Sequence, residues 1–351
     1  MKILVWHVHG GWMDGFLRGG HDYLIPVEPG TRPPTLDREA SPGARTVDPA
    51  SLREAAVDVV VMQRTEELEL AERLLGRRPG RDVPAVFVEH NTPKRLPVTE
   101  RHPLSDRREI PIVHVTHFNR LAWDCGDAPT VVIEHGVPDP GLRYTGELPA
   151  LGVVINEPVR RGRVTGTDLL PSFAEAATLD CFGIDVDLLP QALGLGDRLR
   201  AIGDLPTQRL HTELARRRAY LHPLRWTSLG LSLLEAMHLG MPVLALATTE
   251  APRAVPAEAG AVSADPAELV AAAGRLLTDP EEARRRGRVA REYALEHYGL
   301  TRFLRDWDTL LADQVGVRRT GTRTASRDDV APRSPGSATP AGPDLMEGAL
   351  R

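Results

Sequence analysis

The chain has 351 residues, 42% of them hydrophobic, and this length favours two domains over a single core. Its 43 basic and 48 acidic residues give a formal charge of −5 without a dominant run of Lys and Arg, which argues against a nucleic-acid partner. The two cysteines, Cys125 and Cys181, lack metal-ligand spacing. Neither a zinc site nor a disulfide framework is indicated, so a reduced, cytoplasmic chain is expected.

The N-terminal residues MKILVWHVHGG contain a short apolar run but no long hydrophobic region or cleavage site. They predict a first strand and not a signal peptide. No uninterrupted apolar stretch of roughly 18 residues follows, so no membrane-spanning helix is expected. Peripheral membrane contact stays open.

The first part of the chain alternates apolar strands with helices. Strands are predicted at 2–8, 23–27, 57–62, 85–89, 112–116 and 131–134. Helical segments fit at 12–17 and 65–75. This alternation predicts an α/β fold with a doubly wound sheet, in which ligands bind at the carboxyl ends of the strands. The turn-rich sequence GVPDPG then predicts the end of a first domain, 1–140.

A second alternating series predicts a second domain at 150–298. Its strands are expected at 152–156, 180–183, 219–221 and 243–246, and its helices at 168–177, 207–215 and within 266–298. After about residue 317 the composition changes to Arg, Thr, Ser, Pro, Gly and Asp. Such a segment buries too little apolar surface to offset its ordering entropy, so a disordered tail is predicted at 318–351.

The segment YLHPLRWTSLGLSLLEAMHLGMPVLALATTE is the most informative part of the sequence. Its TSLG cluster, 227–230, predicts a helix start with free backbone N–H groups, which suits a phosphate. Glu235 is the lone acid among apolar helix neighbours. Such an acid usually faces a ligand or a specific partner, although a surface ion pair with a nearby Arg is the alternative.

These residues resemble the donor-binding signature of the retaining GT-B glycosyltransferases known as glycosyl transferases group 1, or family 4-like. The matching positions are Pro223, Gly230, Glu235, Ala236, Met237, Gly240, Pro242 and Val243. The resemblance implies two Rossmann-like domains, the first for the acceptor and the second for a nucleotide-sugar donor. It also implies a helix at 299–316 that crosses back to the first domain.

The resemblance assigns roles within the TSLG cluster and the helix that follows. The family has two glutamates eight positions apart, and Glu235 matches the second, which binds the nucleotide ribose. Thr227 stands at the first position, near the donor sugar. The amides of Ser228, Leu229 and Gly230 are expected to contact the phosphate or the sugar.

Three arginines cluster within four positions of the sequence PVRRGRVTGTDLL. In a metal-free site, a departing diphosphate is stabilised by guanidinium groups and helix starts. The segment resembles the family's diphosphate-binding motif, with Arg160 on the family Arg and Thr165 in place of the Lys; Arg163 is expected to supply the lost charge. The alternative is that these arginines are solvated or paired with Glu157 and Asp168.

His90 follows a predicted strand in the sequence EHNTP. The resemblance places a His near the transferred sugar, and His90 matches it by position only; capping the strand is the alternative. Gly10 and Gly11 resemble the glycine-rich loop that admits acceptor and diphosphate. The other strand-end histidines are expected to be structural: His7, His114 and His135.

The sequence therefore predicts an enzyme, a hexosyltransferase-like glycosyltransferase that needs neither a metal nor a cofactor. It would move a sugar from a nucleotide-diphosphate sugar to the hydroxyl of a glycan, lipid or small-molecule acceptor, with retention. Two alternatives stay open. Thr227 and Thr165 suggest a catalytically reduced GT-B protein that binds a nucleotide or partner, and a GT-B nucleotide-sugar epimerase is the other. The sequence contains no GxGxxG after the first strand, which argues against a nicotinamide or flavin enzyme. It also contains no P-loop, no HExxH and no GxSxG motif.

Overall fold

Two parallel β-sheets organise residues 1–28 and 30–324, the part of the chain that the computed structural model describes. The strands of the first sheet are β1 Lys2–Val5, β2 Asp22–Pro26, β3 Ala44–Val47, β4 Val59–Met62, β5 Ala85–Glu89, β6 Ile112–His114 and β7 Thr130–Val132. They lie in the order β3-β2-β1-β4-β5-β6-β7, and all neighbours pair in parallel.

The second sheet repeats this pattern with six strands. They are β8 Leu148–Val154, β9 Thr178–Phe182, β10 Leu199–Gly203, β11 Arg217–His222, β12 Val243–Leu246 and β13 Gly260–Ser263. Their order is β10-β9-β8-β11-β12-β13, again parallel throughout. Parallel neighbours need crossover connections, which explains the alternation of strands and helices along the sequence.

Helices cover both faces of the two sheets. They are α1 Gly10–Phe16, α2 Glu66–Leu75, α3 His117–Ala122, α4 Pro158–Arg161, α5 Leu170–Ala174, α6 Leu189–Leu193, α7 Thr207–Leu214, α8 Leu231–Leu239, α9 Ala251–Ala254, α10 Pro266–Thr278, α11 Pro280–His297 and α12 Leu300–Thr324. Short 3₁₀ turns occur at Pro49–Arg53, Gly162–Thr165, Thr167–Leu169, Val186–Leu188, Gly196–Arg198 and Ala257–Ala259. Within the described ranges, no helix is long and apolar enough to cross a membrane.

The doubly wound α/β prediction is confirmed, with β5 and β12 at their predicted bounds. Three strands were not predicted: β3, β10 and β13. The β3 strand has the sequence ARTV with exposed Arg and Thr side chains, and β13 has the short sequence GAVS. All three strands lie at the edges of their sheets, where a strand has a neighbour on one side only and its side chains are less buried. They therefore lack the continuous apolar run that is typical of central parallel strands.

Helix α12 returns from the second sheet to the first, where Phe303, Trp307 and Leu311 are buried in the core. The helix continues to Thr324, through residues 318–324 of the predicted tail. The free energy needed to add a turn to an existing helix is much smaller than that needed to nucleate a new one. The polar residues after 317 can therefore extend α12 although their sequence has few apolar side chains to bury. The rest of the predicted tail, 325–351, lies outside the described residues.

A buried ion-pair cluster joins three elements of the second sheet. Asp180 on β9 is 0% exposed, and its two carboxylate oxygens accept hydrogen bonds from Arg200 Nε at 2.6 Å and Arg217 Nε at 2.7 Å. Gly152 on β8 is the register partner of Asp180. Because Gly152 has no side chain, Arg217 can reach across β8 to Asp180.

We predict that Asp180→Asn lowers the free energy of unfolding by about 1–3 kcal/mol, because the buried Arg217 guanidinium loses one of its two carboxylate partners and keeps only Glu213. Urea unfolding measures the change. The matched control is Asp127→Asn, which breaks the exposed pair with Arg108 and should leave stability unchanged within error. Equal effects of the two substitutions would show that burial does not make the Asp180 pair more important than an exposed one.

Candidate active site

A cavity of about 1060 Å³, hereafter the larger cavity, lies between the carboxyl ends of the two sheets. From the first sheet it is lined by His9, Gly11, Trp12, His90, Asn91, Thr92, Lys94 and His135. From the second sheet it is lined by Val154, Ile155, Asn156, Glu157, Arg160, Arg161, Val164, Thr165, Ile184, Leu224, Trp226, Thr227, Ser228, Leu229, Gly230, Leu231, Ser232 and Glu235. Its volume suits a ligand of drug size or larger.

A second cavity of about 470 Å³, hereafter the smaller cavity, adjoins the first. It is lined by Gly10, Gly11, Asp14, Arg18, Val137, Pro138, Asp139, Pro140, Arg143, Thr207, Gln208, His211, Leu231 and Glu235. Gly11, Leu231 and Glu235 therefore belong to both cavities.

The turn after β8 carries the positive charge of the larger cavity. Glu157 turns the chain sharply, with a left-handed φ of 52°, into helix α4. Arg160 lies at the rim, where its Nε and Nη2 donate hydrogen bonds to the two carboxylate oxygens of Glu157. This hydrogen-bonded pair lowers the pKa of the Glu157 carboxyl. Arg161 also lines the cavity, and among the described residues its guanidinium forms neither a hydrogen bond nor an ion pair.

Partial burial lowers the pKa of Arg161, and the neighbouring Arg160 adds to this effect. An arginine nevertheless stays protonated in proteins. A charged guanidinium without a partner, half-buried beside a cavity, is a favourable site for an anion such as a phosphate.

Arg163, which was predicted to supply charge to the diphosphate, does not line either cavity. Its side chain is 77% exposed, and its Nη1 donates to Asp168 Oδ2 at 2.9 Å. Asp168 is also paired with Arg225 on the loop after β11, with 3.0 Å between Arg225 Nη2 and Asp168 Oδ2. The physical reason lies in Gly162, whose φ of 49° and ψ of −116° end α4 and start a 3₁₀ turn that directs Arg163 outward.

Thr165 lines the larger cavity, but its hydroxyl is already engaged. It donates to the carbonyl oxygen of Gly162 at 3.0 Å and lies 2.9 Å from the Thr167 hydroxyl. The next residue, Gly166, has a φ of +72°, and a Cβ there would lie 1.9 Å from the Pro223 carbonyl oxygen. This close approach packs the β8 turn against the start of the TSLG loop.

The TSLG loop and the first turn of α8 form one wall of the larger cavity. Gly230 is the N-cap residue of α8, and a Cβ there would lie 2.7 Å from the His222 ring. The first turn of a helix leaves backbone N–H groups without intrahelical acceptors, and these groups attract anions. Thr227 is half-buried at this wall, with Ser228 and Leu229 more deeply buried beside it.

The same loop contacts the first sheet directly. Trp226 Nε1 donates to the Pro93 carbonyl oxygen at 2.8 Å, and the Trp226 ring lies edge-on to Phe118, 5.6 Å between centroids. The hydroxyls of Ser228 and Thr116 are 3.4 Å apart. These contacts hold the wall of the larger cavity against the opposite sheet.

Glu235 lies one turn into α8, where its carboxylate faces both cavities with 21% of the side chain exposed. The imidazole of His211 lies beside it, with 3.7 Å between His211 Nε2 and Glu235 Oε2. No arginine pairs with Glu235 in the described part of the chain. The surface ion pair considered as an alternative is therefore not found, and the carboxylate stays available as an acceptor for hydroxyl groups.

Aromatic and imidazole rings form the opposite end of the larger cavity. His90 stacks obliquely on His9, 4.1 Å between centroids, and lies edge-on to Trp12. His135 lines the same end. Burial lowers the pKa of His90 well below its usual value, with smaller contributions from His9 and His135. A neutral His90 offers one donor and one acceptor nitrogen to a ligand.

The C-terminal helix supports this end of the cavity. Arg302 Nη2 donates to the carbonyl oxygens of Glu134 and His135, at 3.0 and 2.6 Å. Trp307 packs edge-on against Trp12, with ring centroids 5.6 Å apart. Through these contacts α12 fixes both the loop that carries His135 and the helix that carries Trp12.

Solved structures with the same fold are glycosyltransferases of the GT-B type. Sucrose-phosphate synthase from Thermosynechococcus elongatus superposes with a TM-score of 0.70 at 16% identity, covering 90% of this chain and 100% of that one. Anabaena HepE, solved with UDP, gives 0.65 at 14% identity, with 89% and 100% covered. A glycosyltransferase from Rickettsia africae gives 0.66 at 13% identity, with 90% and 98% covered.

Residues 186–293 match the family described as Glycosyl transferases group 1. This stretch contains α7, the TSLG loop and α8 with Glu235. The chain therefore has the GT-B fold, and its second half contains a segment similar to the glycosyl transferases group 1 family. Among curated proteins, none matches its sequence significantly.

The structure brings most of the predicted site residues together. Those that line the larger cavity are Gly11, His90, Arg160, Thr165, Thr227, Ser228, Leu229, Gly230 and Glu235, and Gly10 lines the smaller one. Arg161, Lys94, Trp12 and His135 line the larger cavity without having been predicted. Arg161 was visible in the sequence as a member of the arginine cluster at 160–163. His135 gave no such signal, because its placement depends on α12.

No group of three or more His, Cys, Asp or Glu side chains suited to a metal ion is found within residues 1–28 and 30–324.

We predict that the protein loses stability as the pH falls from 6.5 to 4. Burial lowers the pKa of His135 to about 4, helped by Arg302, and burial lowers that of His222 to about 4. Between those pH values the unfolded chain binds more protons, so the stabilisation from each neutral imidazole is complete above pH 6.5 and is lost on acidification. The full loss is about 3 kcal/mol for each.

His135→Asn should reduce the difference in unfolding free energy between pH 7 and pH 5 by about 2 kcal/mol, as measured by urea unfolding at both pH values. The control His117→Asn replaces an exposed histidine and should keep the full pH dependence. An unchanged pH dependence in His135→Asn would show that His135 does not titrate as its burial requires.

Proposed function

We propose that the larger cavity binds a nucleotide-diphosphate sugar and that this enzyme transfers the sugar to an acceptor hydroxyl. One observation carries the proposal: the unpaired Arg161 guanidinium, the first turn of α8 and the Glu235 carboxylate face the same cavity. A cation and free amides suit a diphosphate, and a carboxylate suits a ribose diol. UDP is the first nucleotide to test, because HepE was solved with UDP and with UDP-glucose.

Charge development on the departing diphosphate decides the rate of sugar transfer. Arg161 and the α8 amides would stabilise that charge without a divalent cation, with Arg160 at the rim adding to the positive potential. Because Arg160 is held by Glu157, it would exchange one anion for another when the substrate binds. We therefore propose that the reaction is metal-independent, and activity should persist in the presence of EDTA.

The sugar of the donor would lie toward His90 and Thr227. A neutral imidazole and a hydroxyl make uncharged hydrogen bonds, which are weaker than those of the carboxylate that the family has at the Thr227 position. Transfer with retention rests on the resemblance of the signature to the retaining group. The anomeric proton of the product, observed by NMR, tests that stereochemistry.

We predict that Arg161→Ala lowers kcat by about 10²- to 10³-fold, because a cation that stabilises transition-state charge is lost. UDP release from UDP-sugars in the presence of acceptor measures the rate. Arg163→Ala is the matched control from the same turn and should retain most of the activity, because its side chain faces solvent. The reverse ranking of the two variants would overturn this assignment of the diphosphate site.

We predict that Glu235→Ala weakens UDP binding by about 1.5–3 kcal/mol, because it removes charge-assisted hydrogen bonds to the ribose. Calorimetry with UDP, GDP and dTDP measures the affinity and identifies the base. UDP-, GDP- and dTDP-sugars then separate an enzyme from a catalytically reduced protein. Tight binding with neither transfer nor hydrolysis would contradict the proposed function and favour the catalytically reduced protein, and product formed without acceptor would indicate an epimerase.

A further inference from the structure

A patch of exposed aliphatic and cationic side chains lies at the rim of the larger cavity, on the side of the first sheet. The turn after β5 contributes most of it: residues 94–99 are all exposed to solvent, and Lys94 also lines the larger cavity. Val98 and Leu121 are 73% and 83% exposed, more than any other large hydrophobic side chain of the described ranges. The patch, hereafter the rim patch, comprises Lys94, Arg95, Leu96, Val98, Arg120 and Leu121.

Hydrogen bonds hold the turn after β5 in one conformation. Glu100 Oε2 accepts from the backbone N–H groups of Arg95 and Leu96, at 2.7 and 3.3 Å. The carbonyl oxygen of Leu96 accepts from the backbone N–H groups of Thr99 and Glu100, at 3.1 and 2.8 Å. The backbone hydrogen bonds lower the pKa of the Glu100 carboxyl. Leu96 and Val98 are therefore presented to solvent by a fixed turn.

Val98 adopts an unfavourable backbone conformation within this turn. Its φ of 65° lies in the left-handed region, where a β-branched side chain is strained. Gly or Asn would avoid the strain. Strained residues occur most often at functional sites, where the surrounding structure holds them. The turn thus carries an exposed apolar side chain at a position that disfavours it.

Helix α3 is attached to both ends of the same turn. Trp123, the residue after α3, donates from Nε1 to the Asn91 carbonyl oxygen at 2.8 Å. On the other side of the turn, the backbone N–H of His102 donates to the Asp124 carbonyl oxygen at 2.8 Å. These contacts bring the α3 residues of the rim patch next to the turn.

The cations of the rim patch are unpaired. In the part of the chain that the structure describes, the side chains of Lys94, Arg95 and Arg120 form neither ion pairs nor hydrogen bonds. The carboxylates near them are engaged with the backbone: Glu100 accepts within the turn, and Asp124 accepts from the N–H two residues later. In a chain with a net charge of −5, this patch offers a local attraction for an anionic surface.

We propose that the rim patch docks this protein on an anionic lipid bilayer, with Leu96 and Val98 inserted among the headgroups. Aliphatic side chains flanked by cations suit such a surface, because the aliphatic groups leave water while the cations contact lipid phosphates. The phosphate backbone of a nucleic acid would satisfy the cations but leave the aliphatic side chains in water. Docking would place the rim of the larger cavity at the membrane surface. The inference does not rest on the proposed function, because vesicle binding needs neither donor nor acceptor.

Flotation of the full chain with lipid vesicles tests the inference. The probes are vesicles of phosphatidylglycerol and phosphatidylcholine in equal parts, and vesicles of phosphatidylcholine alone. Wild type should partition onto the anionic vesicles at least about tenfold more strongly than onto the neutral ones. Raising the salt from about 0.1 to about 1 M shortens the screening length from about 10 to about 3 Å and should weaken the binding by more than about tenfold.

Two variants of the turn separate the roles of charge and apolar surface. Arg95→Glu should weaken partition onto the anionic vesicles by about tenfold or more, since each unit of charge near the surface changes it about fivefold. Its control Arg288→Glu reverses an exposed arginine of α11 and should stay within about twofold of wild type. Leu96→Ser combined with Val98→Ser should weaken partition by more than about tenfold. The control Leu142→Ser, at a leucine of similar exposure outside the rim patch, should not.

A fluorescent label reports insertion directly. Because Cys125 and Cys181 are buried, an environment-sensitive dye on Val98→Cys labels that position selectively. Its emission should shift to the blue on anionic vesicles, and the same dye on Leu142→Cys should not shift.

Wild type that binds neither kind of vesicle, or both equally, would overturn the inference, as would an unshifted dye at position 98. Binding weakened by Arg95→Glu but unchanged by the double serine variant would indicate attraction of charge alone, as to an acidic protein. That outcome would also overturn the inference.

Discussion

Parallel strand pairing is the constraint on which the site depends. When all strands of a sheet run in one direction, the residues that follow them converge at one edge, however far apart they are in sequence. In this chain the two edges face each other. His9 follows β1, His90 follows β5 and Arg160 follows β8, yet all three line one cavity. The sheets supply rigid supports, and the chemistry lies on the short connections at their ends.

Within the β8 turn, three arginines separated by one to three positions have three different environments. Arg160 is paired at the rim, Arg161 faces the cavity without a partner, and Arg163 is paired outside. A half-buried guanidinium without a carboxylate partner, such as that of Arg161, costs stability in the empty cavity. Only Arg160 and Arg161 line the larger cavity, and the backbone geometry at Gly162 directs Arg163 away from it.

The periodicity of apolar residues was sufficient to predict the α/β class and most central strands, because those strands are buried on both faces. It was not sufficient for edge strands such as β3, whose exposed side carries polar residues. Motif spacing placed Glu235 and Gly230 correctly at the cavity wall. The choice between Arg161 and Arg163 could not be predicted, since it depends on one pair of backbone torsion angles at Gly162.

The packing of Trp307 on Trp12 has a consequence for folding during synthesis. Chains emerge from the ribosome N-terminus first, so α1 leaves long before the residues that complete its environment exist. The ring that closes over Trp12 is made almost three hundred residues later, and Arg302 secures the loop of His135 at the same stage. A nascent or C-terminally shortened chain therefore contains every residue of the first sheet but lacks the side chains that support one end of the larger cavity.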